Sequence, residues 1–308
     1  MSDALRALLS DAIDTTAITT VEAWWERHRV LAARWPDSAD LALVGGLHAD
    51  RLGWAFSSGY QAAGSRLFSS GAPGPVALCA TEAGGVHPRA IDTTLTRTTD
   101  GARLDGHKTF VTLGGFARAL FVVAREGATP EGRPRLRVVR IDADAPGVEV
   151  RPLPLMPFVP EVPHAEILLT KVAVAEATIL PGDGYTDYLK PFRTVEDLHV
   201  HAALVGFLLR AGRLHEWPDA TLEALAGQAS ACRDLAAADP RSLALHVALA
   251  GTLAAVAAIA EDESLWARVH PAVVEAWQRD RPLLRVASAA RDARLRAAWS
   301  ALRRSPGA

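Results

Sequence analysis

The apolar residues of this chain change their spacing twice, and that double change constrains its fold more than any other feature. Up to Phe68 they recur at three- and four-residue intervals, as on the face of a helix. Between Pro75 and about residue 180 they stand instead in short runs or strict alternation, the period of strands. After Pro181 the helical spacing returns and holds to the end. Inside the middle stretch, Val76 to Ala80 reads as a buried strand broken by Thr81-Glu82-Ala83-Gly84-Gly85, where glycine lets a ligand approach the backbone. Leu95 to Thr99 and Ala102 to Leu104 flank Asp100-Gly101, a pair suited to a tight hairpin turn. Lys108 to Thr112 forms a strand that stops at Gly114-Gly115. Ala119 to Ala124, Leu136 to Ile141 and Glu166 to Leu169 are further strands, with Gly127 to Pro134 a polar excursion between two of them. Short strands bounded by Gly and Pro predict an antiparallel barrel or sandwich.

The flanks predict helices. Thr19 with Glu22 makes a capping box ahead of a helix over Val21 to Trp35, which Pro36 ends. A second helix is expected over Ala49 to Phe68, where Gly53, Gly59 and Gly64 cost helix propensity unless another helix or a ligand packs closely on them. Ser70 to Pro75 marks a boundary. Beyond Pro181, helices are expected near Val195 to His215, Ala220 to Ala237, Arg241 to Ile259, Leu265 to Gln278 and Leu283 to Arg303. The chain therefore reads as an α+β multidomain protein. Its N-terminal helical domain covers 1–74, its central antiparallel β-barrel-like domain 75–180 and its C-terminal helical bundle 181–308.

Composition narrows the function. With 33 basic and 35 acidic residues among 308, no broad field attracts nucleic acid or an anionic membrane. Cys79 and Cys232 form no metal-type pair or redox motif, the histidines show no metal spacing, and no cleavable signal opens the chain, so a cytoplasmic protein without a metal is expected. Leu243 to Ile259 is apolar enough to invite a membrane reading. Its alanine content and the charges that bracket it predict a buried helix instead, and a bundle this apolar needs the cover of a homodimer or homotetramer.

Three segments then carry a resemblance. Thr81-Glu82, Gly84-Gly85 and Leu104 to Thr112 resemble the middle-domain signature of the acyl-CoA dehydrogenase family, a Thr-Glu-Pro-Gly-x-Gly-Ser-Asp loop followed by Gly-x-Lys and aromatic-x-Thr. The likeness spans about residues 75 to 215. It implies a flavoprotein that desaturates an acyl-CoA or related thioester with FAD and passes electrons to an electron-transfer flavoprotein. It further implies that Thr81, Phe110 and Thr112 lie against the flavin ring, that Gly84 and Gly85 keep the backbone near the cofactor, and that His87 stands where the family has its pyrophosphate-binding serine. Some members carry the catalytic base ten residues before a glycine on the first helix of the C-terminal domain. Counting back from Gly206 gives Glu196, followed here by Asp197 where the family has arginine. The family's Tyr-Glu-Gly-type loop, Arg-x-x-Phe-Gly segment and Gln-x-x-Gly-Gly segment have no counterparts in this sequence.

Each of these residues also has a plain structural reading. Thr194 to Asp197 makes an acceptable acidic first turn of a helix, Phe110 serves as barrel core, and Gly84-Gly85 as a simple turn. Two functions stay open: a dehydrogenase-like flavoenzyme using Glu196, and a non-catalytic member that acts as a subunit of a heteromeric dehydrogenase.

Overall fold

The computed structural model describes residues 3–68, 74–85 and 87–304; Ser70 to Pro73 of the expected boundary lie outside them. The chain divides into two compact units. One comprises Met1–Arg66, Met156–Glu161 and Thr194–Ala308, the other Leu67–Leu155 and Val162–Arg193. The expected class holds: a curled sheet occupies the middle, with helices before and after it.

The first unit is helical. Helices α1 (Asp3–Ser10), α2 (Val21–Arg34), α3 (Ser38–Leu47) and α4 (Leu52–Phe68) precede the sheet. Thr20, one residue later than expected, caps α2: its backbone is extended and its Oγ1 accepts from the Ala23 N–H at 3.2 Å. The sequence offered no period for α3, because nine of its ten residues are buried and no polar face exists to create one. Asp37 starts it by accepting from the N–H groups of Ala39 and Asp40, each at 3.0 Å. Helix α3 lies so close to α5 (Lys190–Leu214) that a Cβ on Gly46 would run into the carbonyl of Ala203, and one on Gly206 into the carbonyl of Leu43. Gly59 on α4 abuts the backbone at His199 and Val200 in the same way, so its glycine serves helix packing.

After α5 come α6 (Asp219–Ala237), α7 (Leu243–Ala260), α8 (Glu263–Trp266), α9 (Pro271–Asp280) and α10 (Ser288–Arg304). The single helix expected over Leu265 to Gln278 is two, because Pro271 opens a new one with His270 as its cap. The expectation of a buried helix at Leu243 to Ile259 is corrected: only 22% of α7 is buried within the chain. By length and composition alone it could cross a membrane.

The second unit is built on seven strands: β1 (Val76–Cys79), β2 (Thr94–Thr98), β3 (Gly101–Thr112), β4 (Ala119–Ala128), β5 (Pro134–Asp142), β6 (Val148–Pro152) and β7 (His164–Val174). Their order is β1-β4-β2-β3-β7-β6, with β5 also on β4. Strand β1 runs parallel to β4, β2 meets β4 only at the pair Thr94↔Arg125, and the remaining pairings are antiparallel. Thr98 pairs with Gly101, so the hairpin turn is Thr99-Asp100 rather than Asp100-Gly101. Gly101 follows it at φ +138°, with the Val174 carbonyl where a Cβ would sit. Ala119 to Ala124 are buried in unbroken succession, as befits a strand covered on both faces. One face joins a core that includes Leu104, Val139, Ile167 and Val172. On the other, Phe121 stacks on Phe68 with ring centroids 4.1 Å apart.

Candidate functional site

The loop after β1 is held from inside. Glu82 and Gly85 exchange backbone hydrogen bonds of 3.1 and 2.8 Å, closing a tight turn with Gly85 at φ +98°. The Glu82 carboxylate turns inward and accepts from the N–H groups of Asp92 at 2.7 Å and Thr93 at 3.1 Å. Lys108, whose side chain is fully buried, donates to Glu82 Oε1 at 2.5 Å and to the Val123 carbonyl at 2.6 Å. Burial pushes the Glu82 carboxyl up, but the charge and hydrogen bond of Lys108, with the backbone donors, outweigh it and hold the group below its ordinary value. Burial pulls the Lys108 ammonium down against the opposing pull of Glu82. The neighbouring Cys79 thiol is pushed up to about 12 by burial and is inert as a nucleophile at neutral pH.

This clamp fixes the loop against β3. The Thr109 N–H donates to the Thr81 carbonyl at 2.8 Å, placing Thr81 beside the residue that precedes Phe110. Between Lys108 and Val111 the register slips by a bulge. Phe110 sits there at φ +50° and is 59% exposed. The reading of Phe110 as barrel core is thereby corrected: the bulge reverses its side and turns the ring outward. A non-glycine residue in this left-handed region costs about 1–3 kcal/mol, a cost met elsewhere in the fold and common at ligand-binding positions. Thr112 follows, half-buried and paired with His164. Thr81 and Thr112 make no side-chain hydrogen bond among the described residues, and a Cβ on Gly85 would meet nothing within 4 Å. An outward aromatic ring, two unengaged hydroxyls and open space over a glycine loop fit one face and one edge of a flat ring system. Gly84 is tighter, since a Cβ there would fall 3.1 Å from that of Ala90. His87 is exposed, and its Nδ1 accepts from the Arg89 N–H at 3.2 Å as the cap of a short 3-10 turn.

Glu196 belongs to the helical unit and is half-buried. Its reading as a first-turn acid does not hold, because α5 begins at Lys190, after a π-turn over Gly184–Leu189. Asp197 is buried: its Oδ1 accepts from Arg291 Nε at 3.0 Å and its Oδ2 from Arg294, both on α10. The position that is arginine in the family thus carries the opposite charge and receives two arginines from the end of the chain. Neither the Glu82–Lys108 clamp nor the Asp197 cluster was assigned from sequence. The only signal for the first was the presence of both residues in the two halves of one motif. Among the described residues no three His, Cys, Asp or Glu side chains gather as a metal set would.

Residues 77–172 match the family model described as acyl-CoA dehydrogenase, middle domain. The sequence likeness to the acyl-CoA dehydrogenase family is carried by that domain. Solved structures extend the likeness to the whole fold. The butyryl-CoA dehydrogenase from Megasphaera elsdenii is 13% identical, with 98% of each chain covered and a TM-score of 0.68. The FAD complex of PigA is 14% identical, covering 95% of this chain and 94% of that one at a TM-score of 0.68. FMN-bound TdsC from Paenibacillus sp. A11-2 is 14% identical, with 90% of each chain covered and a TM-score of 0.67. At such identities the likeness to these acyl-CoA dehydrogenase-fold proteins is one of fold. No curated protein matches the chain.

Proposed function

We propose that this chain is a flavin-dependent oxidoreductase that desaturates an acyl-CoA or related thioester between its alpha and beta carbons. The observation that carries the reading is the outward Phe110 ring on its bulge, set beside Thr81 by the Thr109–Thr81 bond, in a domain matched by the acyl-CoA dehydrogenase family. FAD would supply the hydride acceptor. Thr81 and Thr112 would hydrogen-bond the edge of its ring, Phe110 would cover one face, Gly84 and Gly85 would admit it to the backbone, and His87 would lie toward its phosphates. Glu196 would take the alpha proton as the general base. We further propose a cytoplasmic homodimer or homotetramer joined through the exposed apolar face of α7, with an electron-transfer flavoprotein as acceptor.

One observation favours a second reading, a non-catalytic subunit of a heteromeric dehydrogenase: His87 uses its ring nitrogen to cap its own turn. Colour separates the two. A protein that is yellow as purified, or becomes so with FAD, supports the enzyme; one that stays colourless in excess FAD supports the subunit. In a flavin-bearing protein, Glu196→Gln keeps size and removes the base. Flavin reduction by the acyl thioester should then fall by about 10²–10⁴-fold with flavin content unchanged. An unchanged reduction rate would remove Glu196 from the mechanism.

A further inference from the structure

The helical unit holds a cavity of about 340 Å³ bounded by α5, α7 and α10, within the size range of small-molecule sites. One row of α5 residues (Asp197, His201, Leu204) faces a row of α7 (Leu249, Ala250, Leu253) across it, so its walls are largely aliphatic. Asp197, Arg291 and Arg294 on its lining form one cluster. There Arg291 and Arg294 share the single carboxylate of Asp197, and Arg291 also donates to the Leu284 carbonyl at 2.9 Å. Two guanidiniums against one buried carboxylate leave one positive charge, and Asp292 beside them is exposed to solvent. Guanidinium has donors only, so the group this cluster lacks is an acceptor. A second observation points the same way. His201 is 3% exposed and lines the cavity; the Thr252 carbonyl approaches its ring, yet among the described residues its Nε2 makes no well-formed hydrogen bond. A buried polar atom without a partner is costly, and as the Nε2–H tautomer it would donate to the same acceptor.

We propose that this cavity binds an apolar carboxylic acid, its carboxylate received by Arg291, Arg294 and the His201 Nε2 and its hydrocarbon body lying between α5 and α7. The site lies wholly in the helical unit and owes nothing to the flavin reading.

The test uses the full chain and three isosteric probes: octanoate, octanol and octylamine. Isothermal titration should show one octanoate per chain, with octanol and octylamine at least tenfold weaker. Ala250→Trp, which fills the cavity from α7 and leaves every charged group in place, should weaken octanoate at least tenfold. Phe110→Ala should leave it unchanged. Should Ala250→Trp fail to fold, the ring resonances of His201 in the unaltered protein give the answer, since octanoate must shift them and octanol must shift them less. Octanol binding as tightly as octanoate would overturn the anionic class. Undetectable octanoate binding at millimolar concentration, undisturbed His201 resonances, or equal binding in Ala250→Trp would overturn the site, including the case in which a second copy of the chain fills it.

Discussion

Lys108→Met removes the ammonium of the buried clamp while keeping the length and apolar bulk of the stem. Three losses follow from the geometry. Glu82 keeps its two backbone donors but loses its counter-charge, at a place where only 6% of its side chain is exposed. The Val123 carbonyl loses its side-chain donor, and the loop carrying Thr81 loses its side-chain tie to β3 while keeping the Thr109–Thr81 backbone bond. Removing one partner of a buried ion pair costs about 3–5 kcal/mol, far more than the pair adds over an apolar replacement of both. Urea unfolding followed by far-ultraviolet circular dichroism should therefore place Lys108→Met about 3–5 kcal/mol below the unaltered protein, at an unchanged slope. Adding Glu82→Gln should recover part of that, since no charge is left behind and the amide oxygen still accepts from one of the two backbone N–H groups. A cost under about 1 kcal/mol for Lys108→Met, or a double variant as unstable as the single, would refute the claim that the loop is held electrostatically from inside.

Three further outcomes are expected. His28, His199 and His201 are each pulled down to about 4, chiefly by burial. Between that value and the ordinary 6.5 the unfolded chain holds protons the folded one does not, so stability should fall as pH drops through this window, by up to about 3 kcal/mol per histidine; urea midpoints that stay flat from pH 7 to 4.5 would contradict it. Gly206→Ala should destabilise by about 1–3 kcal/mol or more, because its methyl meets the α3 backbone, which cannot turn aside; a thermal midpoint equal to that of the unaltered protein would show that the helices are not in contact there. Asp197→Ala should cost about 2–4 kcal/mol by leaving Arg291 and Arg294 facing each other, and full retention of the urea midpoint would mean that α10 is not anchored through them.

The sequence disclosed the elements whose chemistry is local. The α2 cap, the change of period at Pro75 and the strand over Ala119 to Ala124 depend on neighbours a few residues away, and each lies within a residue or two of its expected place, though β4 continues to Ala128. Elements defined by distant partners stayed hidden. Helix α3 is buried all round and shows no period, and β6 alternates over only Val148 to Arg151, a run too short to stand out from its surroundings. At the candidate site the same rule holds. Lys108 lies 26 positions from Glu82, and Asp197 lies 94 and 97 positions from its arginines, so nothing local announces either cluster. Likewise, the outward turn of Phe110 depends on a bulge set by β7, and alternation along β3 alone would have placed its ring differently.

The burial of Lys108 also fixes how the chain meets amine-reactive chemistry. Only two other lysines exist, Lys171 and Lys190, and both are exposed. An acylating reagent or cross-linker in solution therefore finds two side-chain amines at once and the third only when the β-unit opens. The rate at which Lys108 acquires label, read by peptide mass spectrometry, becomes a clock for that opening, with Lys171 in the neighbouring strand as its internal standard.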